Sequence, residues 1–135
     1  MGPTFSSESK RVLDRAEAEA RTLEREFVGT EHLLLALVAE GHPALTTASV
    51  EDLRQVVIRL TGRGTGSITD LYVTPRLKHV LRIAVQVAET EGQDAVTVQH
   101  LWTGIAREGQ GVAMALLSEL GVDATTISGS ASERG

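Results

Sequence analysis

Shifted by 68 residues, this 135-residue chain lies over itself. Phe5–His42 meets Val73–Gln110 without a gap, and eleven of the 38 pairs are identical. The identities include Val12/Val80, Leu13/Leu81, Ala16/Ala84, Ala20/Ala88, Val28/Val96, His32/His100, Leu33/Leu101 and Gly41/Gly109. Unrelated segments would agree at about two or three such positions. One duplication of a unit this long does not build a solenoid, which stacks many short repeats. It predicts a unit packed against its own copy, related by a pseudo-twofold axis.

Each copy reads as helices. Val12, Leu13, Ala16, Ala20, Leu23 and Phe27 recur at helical spacing, which predicts an amphipathic helix over about 6–26, with Ser6 or Ser7 as its N-cap. Gly29-Thr30 breaks and re-caps the chain, and Glu31–Glu40 predicts a second helix carrying the apolar run Leu33–Val38. Gly41, His42 and Pro43 stop it. Ser49 followed by Asp52 resembles a capping box, and Leu53, Val56, Val57 and Leu60 give a third helix face. In the second copy Thr74-Pro75 is a helix start with proline at the first helical position, followed by the stripe Leu77, Val80, Leu81, Ala84, Val87 and Ala88. Thr97 opens the next helix, Gly109–Gly111 ends it, and Val112–Leu120 forms a short one. No strand pattern extends beyond three or four residues. The fold class expected is all-α, a tandem repeat of two helical units within one domain spanning 1–135. Repeat one covers about 5–61, a linker 62–72, repeat two about 73–123, and a flexible polar tail 124–135.

Composition supports this and removes several functions. There is no cysteine, which excludes disulfides, thiol chemistry and thiolate-bound metal. The four aromatic rings, Phe5, Phe27, Tyr72 and Trp102, leave a core of Leu, Val, Ile and Ala, which suits closely packed helices. Residues 1–61 carry ten acids and seven bases, and residues 62–135 eight and six, so the net charge of -5 is evenly spread. No basic stripe offers a footprint for nucleic acid or an anionic membrane. No secretory h-region and no membrane-length apolar run is present, and a cytoplasmic location is expected.

The search for catalytic chemistry returns little. His32 and His100 occupy the same place in the two copies, just inside a helix start and beside an apolar run. That symmetry points to a structural hydrogen bond tying each start to a neighbour. His42 and His79 receive no role. No HExxH and no carboxylate set has metal-ligand spacing, so no metal and no cofactor is implied. GRGTGS at 62–67 lacks the Lys-Ser/Thr of a phosphate-binding loop, and GxSxG is absent. No enzyme is expected. The helix starts hold more interest, because unpaired N–H groups and the positive dipole end attract anions. Ser6 and Thr74 sit at equivalent starts and add a hydroxyl. Glu31 sits at the start of the second helix. There its carboxylate either offsets the dipole, worth about 0.3–1 kcal/mol, or anchors a guanidinium group.

FVGTEHLLLALVAEG (27–41), with FSSESKRVLDRAEAEARTL (5–23), resembles the N-terminal repeat domain of the Clp ATPases, most closely the ClpC type. VTPRLKHVLRIAVQVAETEG (73–92) and VQHLWTGIAREGQGVAMALLSELGVD (98–123) are similar to that domain's second repeat. The resemblance covers about residues 5–123. It implies a pseudo-symmetric bundle of two four-helix repeats without catalytic activity. In the family this domain is fused to AAA+ modules that unfold proteins for the ClpP protease, and it recruits adaptors and substrates. ClpC-type members bind phosphorylated arginine through a helix-start hydroxyl and the Glu of the EH motif. The matching positions here are Ser6 and Glu31 in the first repeat, and Thr74 and Gln99 in the second. Related domains also bind cyclic peptide antibiotics in a groove floored by the aromatic residue that starts each repeat. Phe5 keeps that position and Val73 does not.

The departures are specific. Gln99 replaces an acid, Val73 replaces an aromatic, and HPALTTA (42–48) stands where a helix like Val112–Leu120 is expected. No last helix of the second repeat is expected in SGSASERG, and no ATPase lies within these residues, which leaves a free-standing protein or an excised fragment as the two alternatives. The resulting expectation is a stand-alone, non-enzymatic protein- and peptide-binding module. It would be an accessory or decoy of a Clp protease system, with adaptors, phosphoarginine-tagged substrates or a cyclic peptide as partners. The alternative is a degenerate interaction protein that has lost phosphoarginine recognition and acts through docking or oligomerisation.

Overall fold

The computed structural model describes residues 2–41, 49–62, 64, 71–122 and 127. Ten elements follow one another among them: β1 (Thr4–Phe5), α1 (Ser7–Thr22), β2 (Phe27–Val28), α2 (Thr30–Glu40), α3 (Val50–Thr61), β3 (Tyr72–Val73), α4 (Pro75–Thr90), β4 (Ala95–Val96), α5 (Val98–Glu108) and α6 (Val112–Glu119). The 68-residue shift carries β1 onto β3, α1 onto α4, β2 onto β4 and α2 onto α5, end for end. It does not carry α3 onto α6. Residues 42–48, where the sequence lacks a partner for α6, lie outside the described residues.

The helix starts follow their capping residues. Ser6, Ser49, Thr74 and Thr97 each accept a backbone N–H from the residue three positions on. α1 packs on α2 and α4 on α5, while α2 also touches α3, α4, α5 and α6. A helix buried on every side must be apolar all round, and α2 is: Leu33 through Val38 are all buried. Leu101, Trp102 and Ile105 of α5, and Leu116 and Leu117 of α6, complete the same core.

The chain is all-α as its sequence predicts, with four two-residue strands among the described residues. Two residues are too few to show an alternating pattern. They pair in two parallel ladders, Thr4 and Phe5 with Ala95 and Val96, and Phe27 and Val28 with Tyr72 and Val73. Each ladder therefore joins one repeat to the other. The helix expected over 6–26 stops at Thr22, because Glu24 turns to φ 60°. The equivalent residue is Gly92, at φ 70°. The linker expected over 62–72 ends early, since Leu71 packs on the core and Tyr72 belongs to β3. In the tail expected to be flexible, Ile127 is fully buried in the core, and the rest of 124–135 lies outside the described residues.

One ionic clamp closes the first repeat. The Arg54 guanidinium on α3 donates two 2.9 Å hydrogen bonds to the buried Glu19 carboxylate on α1, and also meets Glu51. This is the bidentate geometry that suits a low-dielectric site. The position equivalent to Glu19 in the second repeat is Val87, and α3, which carries Arg54, has no counterpart under the shift.

Candidate functional site

The crossed ladders decide which helix starts stand together. The Ser6 N–H donates to the Val96 carbonyl at 3.0 Å, and the Thr74 N–H to the Val28 carbonyl at 3.1 Å. The start of α1 thus lies beside that of α5, and the start of α4 beside that of α2. The resemblance places Ser6 and Glu31 in the first repeat and Thr74 and Gln99 in the second, and the sequence leaves open whether Glu31 works with Ser6 or across the pseudo-twofold with Thr74. Pairing between repeats crosses these sets and gives Thr74 with Glu31, and Ser6 with Gln99.

At the α2–α4 corner Glu31 is only 6% exposed. Its carboxylate folds back over its own helix start. A Cβ at Gly29 would stand 2.6 Å from Glu31 Oε1, so the absence of a side chain there makes room for the turn. Burial pushes the Glu31 carboxyl above the usual range, opposed by a hydrogen bond from its own backbone N–H and by the Arg25 charge. Arg25 lies over the Phe27 ring at 4.8 Å, and Tyr72, 57% exposed, tilts against the same ring at 6.1 Å. The Thr74 hydroxyl accepts the Leu77 N–H.

His32 closes this corner from beneath. Its Nδ1 accepts the Gly29 N–H at 3.0 Å, so the proton of the neutral ring sits on Nε2, which has no hydrogen-bond partner. Burial, helped by Arg25, drops its pKa to about 4. His100 makes the same backbone bond, from the Thr97 N–H at 2.9 Å, and its Nε2 meets Glu91 Oε1 at 2.8 Å. Leu23 occupies the position of Glu91 in the first repeat. Both histidines thus fasten a helix start, as their symmetry predicts, but only one keeps its second partner.

The α1–α5 corner is equipped differently. The Ser6 hydroxyl caps α1 and donates to Ser9 Oγ at 3.0 Å, and Ser9 donates to the Val96 carbonyl at 2.7 Å. Gln99 turns away from its helix start, donating to the Ile127 carbonyl at 3.0 Å and to Thr103 at 3.4 Å. Gln93, Ala95 and Thr4 stand where Arg25, Phe27 and Tyr72 stand at the other corner.

Between α1 and α4 runs an apolar groove in two lobes that share Leu81. One, of about 260 Å³, is lined by Leu13, Ala16, Val28, Leu71, Val73 and Leu77 with Asp14 and Glu17 at its edge. The other, of about 390 Å³, is lined by Phe5 and Val85 with Arg82 and Gln86. Phe5 therefore lines one lobe and Val73 the other. Consecutive strand residues face opposite ways, so Val73 lines the groove while Tyr72 faces Phe27. Sequence reading singled out Phe5 and Val73 and passed over Tyr72 and Arg25, and it did not connect Leu13, Leu81 or Arg82 with a groove. The helical stripe that shares Leu13 and Leu81 with its copy was the signal for the groove floor.

Among the described residues, no group of three or more His, Asp or Glu side chains is placed to hold a metal ion. No described helix is long and apolar enough to cross a membrane.

Comparison with known proteins agrees with this architecture. The chloroplastic chaperone protein ClpC of Pisum sativum is 36% identical over 130 residues, covering 91% of this chain and 14% of that protein. The chain thus spans about a seventh of that relative's length. The N-terminal domain of the chaperone ClpD from Arabidopsis thaliana superposes with a TM-score of 0.80 at 22% identity, covering 96% of this chain and 93% of that one. A ClpV N-domain in complex with a VipB peptide superposes at 0.66 and 18% identity, covering 92% and 82%. The family pattern described as the Clp repeat (R) N-terminal domain matches residues 1–48 and again 43–120, once for each half of the duplication. With both repeats matched and the bundle shared, the chain belongs to the Clp repeat N-terminal domain family.

Proposed function

We propose that this chain is a non-catalytic module that holds polypeptide segments for a Clp ATPase system, taking adaptors or substrate proteins as partners. The observation that carries this reading is the pair of apolar lobes along α1 and α4 that share Leu81, one lined by Phe5 and the other by Val73. Grooves of this kind bury side chains of an incoming peptide. The ClpV N-domain with its VipB peptide supports it by likeness of fold.

Within this reading, phosphoarginine-tagged proteins are a guest class for the α2–α4 corner alone. That corner keeps the carboxylate of Glu31 for a guanidinium and the start of α4 at Thr74 for a phosphoryl group. The α1–α5 corner offers Gln99, which is turned inward and carries no charge. Cyclic peptides are guests for the groove. Titration calorimetry with phosphoarginine, and separately with a Clp-directed cyclic peptide, tests both. Binding of one phosphoarginine per chain, lost in Glu31→Gln, supports the corner. Absence of binding by either ligand and by Clp components overturns the reading.

A second reading has its own support: Glu31 is buried and turned onto its own helix start. In that case phosphoarginine recognition has lapsed and docking runs through the groove. Glu31→Ala then leaves partner capture unchanged.

A further inference from the structure

The groove's two lobes are built from repeat-equivalent residues but differ in charge. Leu13 and Leu81 are equivalent under the repeat, and so are Phe5 and Val73 in the two lobes. A guest lying across such a groove has two opposite ways to sit, related by the pseudo-twofold axis. Apolar contacts alone would not separate them strongly. The charged edges do. Asp14 borders the Val73 lobe, and its equivalent Arg82 borders the Phe5 lobe. The duplication has inverted the sign at this groove-edge position. Glu17 adds a second acid beside Asp14, and its equivalent Val85 is apolar. Glu17 faces Arg21 at 3.7 Å along the same helix, an exposed pair that leaves its carboxylate available. Asp14 and Arg82 are both exposed, and neither has a hydrogen bond or ion pair among the described residues. Their fields therefore act on whatever enters the groove.

Resting on the binding function proposed above, we infer that this groove takes a polypeptide segment in one orientation. The guest has an apolar centre, a basic side chain at the Asp14–Glu17 edge and an acidic side chain at the Arg82 edge. Charge complementarity selects this guest over segments carrying the same sign at both ends. Exposed pairs of this kind are weak singly. Two attractive edges in one orientation against two repulsive edges in the other give a preference of about tenfold at low salt. That preference fades toward one at high salt.

The test uses the chain with a short synthetic peptide that has two leucines at its centre, two lysines at one end and two glutamates at the other. A nitroxide on the lysine end should broaden the backbone NMR signals of Asp14 and Glu17 far more than that of Arg82. The double charge swap Asp14→Arg with Arg82→Asp should reverse the pattern. Peptides with lysines or glutamates at both ends should bind several-fold more weakly. Equal broadening at both edges, or a pattern unmoved by the swap, overturns the orientation and leaves groove binding standing. No saturable binding of any of the three peptides, or binding untouched by Leu81→Glu in a variant whose circular dichroism matches the parent, overturns the groove reading itself.

Discussion

Acid should unfold this protein through His32 before its carboxylates are exhausted. The unfolded ring takes a proton near its ordinary value of 6.5, whereas the folded ring is held to about 4. Between these values the unfolded chain binds more protons, so stability falls as pH falls. The contribution is intact above pH 6.5 and gone below about pH 4. At about 1.4 kcal/mol for each tenfold step in the proton equilibrium it amounts to about 3 kcal/mol, of which about 2 is lost by pH 5. Against a typical net stability of about 5–15 kcal/mol, that is a large share. Glu31 works the other way. Its carboxyl is raised in the fold, so its stabilisation is present below the ordinary carboxylate value and lost as pH rises through the raised one. Urea denaturation at pH 7, 6 and 5 reads the sum. His32→Asn keeps an oxygen where Nδ1 accepts the Gly29 N–H and removes the titrating group. It should cost about 1–2 kcal/mol at pH 7 for the lost ring packing, and its stability should vary less with pH. Adding Glu31→Gln to the parent should steepen the acid loss. A parent whose stability is flat from pH 7 to 5, or a His32→Asn variant as acid-sensitive as the parent, would refute the assignment.

Two further outcomes follow from comparing the repeats. Glu19→Val alone should cost about 1–3 kcal/mol, because it leaves the Arg54 guanidinium with Glu51 alone, and Glu19→Val with Arg54→Val should recover part of it by replacing the pair with apolar side chains, as Val87 does at the position of Glu19 in the other repeat. Chemical denaturation of the two singles and the double measures the coupling, and additive losses would show that the pair is not a unit. Glu24→Gly should raise stability by about 1 kcal/mol, since it relieves a left-handed backbone that Gly92 adopts in the other repeat. A melting temperature unchanged or lowered in this variant would show that the position carries no strain.

The duplicated helices were legible, their starts to within a residue, because two signals agreed. Apolar spacing gave the faces of α1 and α4, and short polar caps at Ser6, Thr74 and Thr97 gave the starts. The two histidines were legible as fasteners because symmetry excludes a site that only one copy would need. What escaped has a physical cause in each instance. A two-residue strand has no period, so β1 to β4 left no trace. Without the strands, nothing told that Thr74 stands with Glu31 and Ser6 with Gln99. The inward turn of Glu31 depends on the bare backbone of Gly29, which sequence marks only as a helix breaker. Tyr72 was passed over because the repeat register directs attention to position 73.

The crossed ladders have a consequence for ancestry. Each repeat lends its opening strand to the other and receives one in return. A half-length chain could satisfy the same hydrogen bonds only by exchanging arms with a second copy of itself, as domain-swapped dimers do. The duplication joins such a pair end to end. Neither half is then bound to remain identical to its twin, and the changes at 14 and 82, 31 and 99, and 23 and 91 are what one chain can carry and a symmetric dimer cannot.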